Sequence, residues 1–199
     1  MSRVILAYSQ LQRALPAAQR ARLRAQLPYA RRLRLAIEAG RQSQTLLGVA
    51  LACRLLATVG AAPVAPSALR YTRTGRPFVP GAPDFSIAHT KEGVLCALCD
   101  EGSVGVDIEE SCAAGADRAA LATWSAKEAT LKAAGATLAE LAEVCLQGRR
   151  VGFRGRRWYL SAPRLRAGLL VRIVTERPVT QLQLHPVPLA GVWATALAA

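Results

Sequence analysis

Three carboxylates and one lysine lie in two short segments whose spacing predicts that they meet. Asp107 and Glu109 alternate with Val and Ile residues, and this period of two predicts a strand with both carboxylates on one face. Glu128 and Lys132 stand at positions i and i+4 of an Ala-rich segment, which predicts a helix with both on one face. Like charges on one face repel unless a cation or water separates them. The pattern favours a hard divalent cation that also holds a phosphate, although a solvated strand edge and a surface helix would use the same residues.

The charge of the chain is strongly positive and unevenly distributed. Its 199 residues carry a formal net charge of +13, and 52% of them are hydrophobic, which is enough for a substantial core. Residues 1–83 hold thirteen Arg and a single acid, Glu38, whereas five of the thirteen acids lie between Asp100 and Glu110. The N-terminal half can therefore present a positive field to an anionic ligand or partner.

The sequence predicts a protein of the reducing cytoplasm without a secretory leader or a membrane span. The longest apolar stretch, Leu46–Ala65, contains Arg54 near its middle, and a central arginine costs about 2.5–3.5 kcal/mol in a bilayer. The five cysteines are odd in number and lack the spacing of a disulfide framework. Cys96 and Cys99 form a C-x-x-C, but a strand would direct them to opposite faces, so we expect core cysteines rather than one metal site.

Hydrophobic patterns typical of helices and strands alternate along the chain and predict an α+β protein. Strands are predicted at residues 4–9, 69–72, 85–88, 94–99, 104–109, 151–153, 157–160, 169–175 and 181–185. Helices are predicted at residues 16–27, 44–59, 125–134 and 138–146, the second with Ser43 as its N-cap. Residues 111–116 are expected to form a short flexible bridge. A shift in composition near residue 100 suggests two α+β halves, residues 1–100 and 101–199.

Four segments in a fixed order are more specific together than any one of them is alone. They are Gly75-Arg76-Pro77-Phe78, Phe85-Ser86-Ile87-Ala88-His89-Thr90, Val104–Glu109 and Trp124–Ala133, with a fainter fifth, Thr45-Leu46-Leu47-Gly48. The sequence resembles the 4'-phosphopantetheinyl transferases over residues 45–133. The resemblance is to the longer type, in which two similar halves related by pseudo-twofold symmetry form the active site at their interface.

The resemblance implies a reaction and a set of catalytic residues. The phosphopantetheine arm of coenzyme A would pass to a serine of an acyl, peptidyl or aryl carrier protein, with release of adenosine 3',5'-bisphosphate. Asp107, Glu109 and Glu128 would bind Mg²⁺ together with the coenzyme A pyrophosphate. Glu128 would also take the serine proton, and Lys132 would stabilise or protonate the departing phosphate.

The resemblance also implies which residues bind coenzyme A. His89 would bind a phosphate, the 3'-phosphate in our interpretation, and Thr45 would contact the adenine. The full set of implied contacts is His89, Arg76, Gly75, Pro77, Thr90, Thr45 and Arg32, with Arg31 and Arg34 as further phosphate contacts. A chain that contains both halves could form the whole site as a monomer.

Three features depart from the pattern of the resembled family. Ala88 stands where a Ser is usual, and Gln44 stands where an Arg is common. Only eighteen residues separate Glu109 from Glu128, whereas a helix and a loop usually fill this interval and shape the carrier-protein groove. A homologue that binds coenzyme A without transferring its arm is therefore an alternative.

The positive charge allows a third interpretation, a nucleic-acid-binding protein. The sequence contains no recognisable nucleic-acid motif and few aromatic residues among its basic ones, so we do not expect nucleic acid as a partner. Carrier proteins are typically acidic, and the same charge would attract them.

Overall fold

The computed structural model describes residues 2–11, 15–28, 31–32, 41–60, 63–111 and 115–188, which form a mixed α+β structure. The strands are β1 Ser2–Gln10, β2 Arg70–Tyr71, β3 Pro77–Phe78, β4 Asp84–His89, β5 Gly93–Cys99, β6 Val104–Glu110, β7 Cys145–Gln147, β8 Arg150–Phe153, β9 Arg156–Ser161, β10 Leu169–Thr175 and β11 Val179–Pro186. The helices are α1 Ala17–Gln26, α2 Gln42–Val59 and α3 Gly115–Ala134, with 3₁₀ turns at Pro66–Ala68 and Leu138–Glu143. The predicted α+β class is confirmed.

The first sheet has the order β11-β1-β5-β4, with β11 parallel to β1 and the other pairs antiparallel. All seven residues of β5 are buried, because helix α2 covers one face of the sheet and the second sheet covers the other. Strand β11 comes from the second half of the chain, so the first sheet contains segments from both sides of residue 100.

The second sheet has the order β6-β10-β9-β8-β7 and is antiparallel throughout. Alternate residues of β10 face opposite sides: Val171 and Ile173 pack against the first sheet, and Val174 packs among the apolar residues beneath α3. Each sheet therefore carries one long helix on its outer side, and the two sheets share an apolar core between them.

Side chains of β4 join the two sheets at the edge of β6. The carboxylate of Asp84 accepts a hydrogen bond from the Val104 amide at 2.8 Å, and the Ser86 hydroxyl accepts one from the Val106 amide at 3.1 Å. These bonds satisfy backbone donors on the side of β6 that has no strand partner, and buried donors left unpaired are costly. They also fix the position of β4 relative to β6.

Helix α3 contacts β6 directly at Gly105. A Cβ atom on Gly105 would lie 1.9 Å from the Ala129 carbonyl oxygen and 2.4 Å from the Ala133 amide nitrogen, so only glycine permits this approach. The close contact places the part of α3 around Ala129 against the face of β6 that carries Gly105 and every second residue from it.

Two predicted elements differ from the structure. Helix α3 begins at Gly115, ten residues before the predicted start at Ser125, because residues 115–124 are Ala-rich and contain an acidic residue, Asp117, in the first turn. The expected bridge is correspondingly shorter, and residues 112–114 lie outside the described part of the chain. The predicted helix at 138–146 is a 3₁₀ turn with a Thr137–Glu140 capping box, followed by β7.

Ser43 is not the N-cap of α2, because the helix already begins at Gln42. Its hydroxyl instead accepts a hydrogen bond from the Leu15 amide at 3.2 Å and ties the helix to the chain segment before α1. Cys96 and Cys99 are buried free thiols on opposite faces of β5, as predicted. Among the described helices, none has the length and apolar character that crossing a membrane requires.

We predict that Gly105→Ala destabilises the protein by about 3 kcal/mol, since the added methyl group meets helix backbone that cannot move aside as a side chain could. Gly152→Ala is the matched control. The Cβ atom there meets Cys145 at 3.8 Å, which is ordinary contact, and Ala is favoured over Gly inside a strand. Urea unfolding of both variants measures the difference. Equal stability of the two variants would contradict the assigned contact.

Candidate active site

The carboxylates of β6 and the polar face of α3 meet at the Lys132 ammonium group. Lys132 Nζ lies 2.7 Å from Asp107 Oδ1 and 3.8 Å from Glu128 Oε2. Asp107 is only 4% exposed, and Lys132 forms an ion pair with this buried carboxylate. Glu109 follows on the same face of β6, since Asp107 and Glu109 are two residues apart. The structure thus brings together the four residues that the sequence singles out.

The two glutamates of this cluster, Glu109 and Glu128, have raised pKa values. Burial raises the pKa of Glu128 above its usual 4.5, the Lys132 ammonium opposes the shift, and the charge of Asp107 adds to it. Burial likewise raises the pKa of Glu109, followed in importance by the charges of Asp107 and Glu128. The charge of one lysine therefore does not fully balance the negative charge of three carboxylates, and binding of a further cation would be favoured here.

The donor set of the cluster suits a hard cation, but its geometry is not that of a formed metal site. Within the described residues, no group of three His, Cys, Asp or Glu side chains is arranged to hold a metal ion. Lys132 occupies one oxygen of Asp107, while the other, Oδ2, is buried and has no hydrogen-bond partner. A buried carboxylate oxygen without a partner is the atom that an oxygen-seeking cation such as Mg²⁺ would use.

A cavity of about 220 Å³ lies beside Lys132. It is lined by the turn Thr74–Pro77, by Ser86 and Ile87 of β4, and by Leu131 and Lys132 of α3. Three of the four sequence segments that carry the family resemblance therefore form the walls of one cavity. Gly75 adopts a positive φ of 86°, which a residue with a side chain rarely does, and this lets the turn close on itself at the cavity rim.

The Arg76 guanidinium forms its hydrogen bonds within the protein. It forms two hydrogen bonds with the Asp84 carboxylate, at 2.8 and 2.5 Å, and a third with the Val104 carbonyl at 2.9 Å. Arg76 therefore connects the turn, β4 and β6. It lines the cavity together with Gly75 and Pro77, but the charge that we expected to contact the nucleotide is already neutralised by Asp84.

His89 ends strand β4 near the lysine. The residue is exposed by its total surface, yet protein surrounds the imidazole closely enough that burial is the main cause of its lowered pKa. The charges of Lys132 and Arg41 lower the pKa further. Lys132 and Arg41 thus form a cationic neighbourhood around His89, which favours the neutral form of the imidazole.

Ala88 does not face this neighbourhood. It is 3% exposed and packs with β6 residues in the core between the sheets. A serine hydroxyl at this position would lie in that core.

The remaining predicted coenzyme A contacts are less closely tied to the cluster. The Thr90 hydroxyl accepts hydrogen bonds from the Glu92 and Gly93 amides at 3.2 and 3.1 Å, so it stabilises the β4–β5 turn. Thr45 is half-buried in the first turn of α2.

The basic segment after α1 is described only in part. The Arg31 guanidinium stacks over the Tyr71 ring at 5.5 Å, and Arg32 is half-buried with its amide bonded to the Pro28 carbonyl. Arg34 lies outside the described residues.

Sequence reasoning missed three residues of the site. Arg172 is half-buried and stands directly opposite Asp107 on β10, and burial together with the charge of Arg118 lowers its pKa. Its signal in the sequence is a lone arginine in an otherwise apolar strand. Trp124 is 40% exposed and stands one helical turn before Glu128, and its indole N–H opposes the rise in the pKa of Glu128. Arg41 immediately precedes α2 and had no distinguishing signal in its basic surroundings.

Comparisons with known proteins do not identify this chain. No protein-family model matches the sequence, and no curated protein matches it significantly.

Glu128→Gln should change how stability depends on pH. Because the pKa of Glu128 is raised, the native state keeps this proton after the unfolded chain has lost it near pH 4.5. The native state then binds more protons than the unfolded state, so the free energy of unfolding falls as the pH rises through this window. The variant should show a smaller fall, since only the raised pKa of Glu109 remains, and it should be more stable than the wild type at neutral pH.

Urea unfolding between about pH 4 and about pH 8, with a chelator present, measures this difference. Glu143→Gln, at an exposed glutamate on the neighbouring 3₁₀ turn, is the control and should follow the wild type. A wild-type pH profile in Glu128→Gln would show that the cluster does not resist ionisation of Glu128.

Proposed function

We propose that this protein is a Mg²⁺-dependent 4'-phosphopantetheinyl transferase that modifies a carrier-protein serine with the arm of coenzyme A. The observation that carries the proposal is the contact of Lys132 with both Asp107 and Glu128, beside a cavity lined by the Gly75–Pro77 turn and by β4. These residues come from four separate segments of the chain, and the motif resemblance names the same residues. A surface helix and a solvated strand would not require a 4% exposed aspartate between them.

The proposed metal ligands are Asp107 through its unpaired Oδ2, Glu109 and Glu128. When bound, Mg²⁺ would neutralise charge that develops on phosphate oxygens during an in-line displacement. The raised pKa values of Glu109 and Glu128 support this assignment, because a cation between these carboxylates would relieve their repulsion. Lys132 would then turn from Asp107 toward the phosphate, a short movement for a long side chain that is 31% exposed.

In the proposed reaction, the serine oxygen bonds to the phosphorus that carries the pantetheine group. The bond from this phosphorus to the bridging oxygen breaks, and that oxygen leaves with the electron pair on adenosine 3',5'-bisphosphate. Glu128 accepts the serine proton, a role that its raised pKa favours at neutral pH. Lys132 stabilises the charge on the departing phosphate and can return a proton to it.

The cavity and its cations support coenzyme A as the substrate. At about 220 Å³ the cavity is too small for the whole molecule, so it would hold one section near the diphosphate while the rest lies along the surface. Lys132 and Arg41 supply the positive surroundings that phosphates require, and the neutral imidazole of His89 can donate a hydrogen bond to a phosphate oxygen. Arg41 would take the place of the cation that the family carries three residues later, where this chain has Gln44.

The two sheets, each with one long helix, support the proposed pair of similar halves with the site between them. The net charge of +13 supports an acidic carrier protein as the partner.

The direct test is incubation with Mg²⁺, coenzyme A and a panel of carrier proteins, followed by mass spectrometry. We expect one carrier-protein serine to gain the mass of the phosphopantetheine arm. Asp107→Asn should lower the rate by at least about 100-fold, since it weakens a metal ligand without changing its shape. Asp117→Asn, at an exposed aspartate of helix α3, is the control and should match the wild type. An unchanged rate in Asp107→Asn would remove the metal assignment.

A coenzyme A-binding protein without transferase activity is the second candidate. The observation that favours it is the Lys132–Asp107 contact at 2.7 Å, which competes with a metal ion for a carboxylate oxygen. In that case coenzyme A would raise the melting temperature as effectively with a chelator as with Mg²⁺, and no carrier protein would gain mass.

A further inference from the structure

A second cleft, of about 460 Å³, lies on the strands β7, β8 and β9, far along the sheet from Asp107. Four of its lining residues are arginines, namely Arg150, Arg154, Arg156 and Arg157. Glu143 lies at the cleft as well. The volume is within the range of small-molecule sites, while the lining is mainly charged rather than apolar.

The strand register places the key side chains on one face of the sheet. Cys145, Gly152 and Arg157 stand side by side across β7, β8 and β9. Gln147 and Arg150 form the neighbouring row. Arg150 and Arg157 are therefore diagonal neighbours, and such side chains start about 7–8 Å apart.

Gly152 gives the cleft an open floor. A Cβ atom there would have Cys145 as its nearest neighbour at 3.8 Å, so the space above the glycine is not used for packing within the protein. Glycine inside a strand often marks a position where a ligand approaches the backbone.

The four arginines differ in what balances their charge. Arg154 pairs with Glu140 and stacks on the Phe153 ring at 5.3 Å, and Arg156 pairs with Glu176 and stacks on a tryptophan ring. The charges of these two arginines are therefore balanced by glutamates of the protein.

Arg150 and Arg157 are exposed, and in the described part of the chain neither forms an ion pair or a side-chain hydrogen bond. Two guanidinium groups on one face repel each other unless an anion lies between them.

We propose that this cleft binds a small anion with two adjacent phosphate groups, one held by Arg150 and the other by Arg157. A guanidinium group presents paired N–H donors that match phosphate oxygens, and two such groups at diagonal positions suit a diphosphate. The Gln147 amide at the end of the second row supplies a further donor. Gly152 allows the ligand to lie against the backbone between the two arginines.

This site is separate from the candidate active site. Arg172 and Val174 of β10 face α3, as Asp107 does, whereas the register places Arg157 on the opposite face of the sheet. The proposal does not depend on the transferase assignment.

A nucleic-acid strand is a less suitable occupant than a small diphosphate. Single strands bind by stacking their bases on exposed aromatic rings as well as by phosphate contacts. Phe153 and Trp158, beside the arginines, are 2% and 1% exposed and pack beneath α3, so neither ring offers a stacking surface.

Calorimetric titration with inorganic pyrophosphate, with a chelator present, tests the proposal. We expect one binding event that Arg150→Gln/Arg157→Gln weakens at least about tenfold, because two charge-assisted contacts are lost. Gly152→Val, which fills the floor and keeps every charge, should weaken it similarly. Arg164→Gln removes an exposed arginine outside the cleft and should leave the affinity within about twofold.

Three outcomes would overturn the assignment. Wild-type affinity for pyrophosphate in the double variant would show that the anion binds elsewhere. If Arg164→Gln weakened the affinity as much as the double variant does, the anion would be attracted by the overall positive charge and not bound at this cleft. The cleft would instead be a nucleic-acid surface if a single-stranded oligonucleotide bound far more tightly than pyrophosphate and the salt dependence of its affinity corresponded to more than two phosphate contacts. Melting curves of Gly152→Val check that this variant remains folded.

Discussion

The direct contact between helix α3 and strand β6 at Gly105 sets the geometry of the candidate active site. A methyl group at this position would overlap the helix backbone, at 1.9 Å from the Ala129 carbonyl oxygen. Because helix and strand touch without an intervening side chain, Lys132 can reach the buried Asp107, two residues along the strand, with a 2.7 Å contact. Burial at this junction is the main reason that the pKa values of the neighbouring glutamates are raised.

The second constraint is the join between the two sheets. Asp84 and Ser86 bond to amides of β6, and Asp84 also neutralises Arg76. One carboxylate thus holds together a turn, an edge strand of the first sheet and the strand that carries Asp107. The cavity beside Lys132 lies at this join, so its walls move only if the sheets move. Arg76 therefore has a structural role, because it connects the turn to β4 and β6.

The local parts of this arrangement could be predicted from the sequence, and the long-range parts could not. Alternation along β6 predicted that Asp107 and Glu109 share a face, and the i,i+4 spacing in α3 predicted the same of Glu128 and Lys132. The strand at residues 169–175 has its predicted bounds. The partner of Arg76 could not be predicted, since Asp84 is linked to it only through the fold. Nor could the position of Arg172 opposite Asp107, because register between distant strands is fixed by the whole sheet.

In the proposed site, the carboxylates beside Lys132 hold one divalent cation together with a diphosphate. Titration of Mn²⁺ into the protein, followed by the electron paramagnetic resonance signal of the free ion, measures this binding. We expect one Mn²⁺ bound per chain, tighter binding when coenzyme A is present, and loss of this binding in Asp107→Asn. Absence of Mn²⁺ binding in the presence of coenzyme A, or equally strong binding in Asp107→Asn, would show that these carboxylates do not hold the cation.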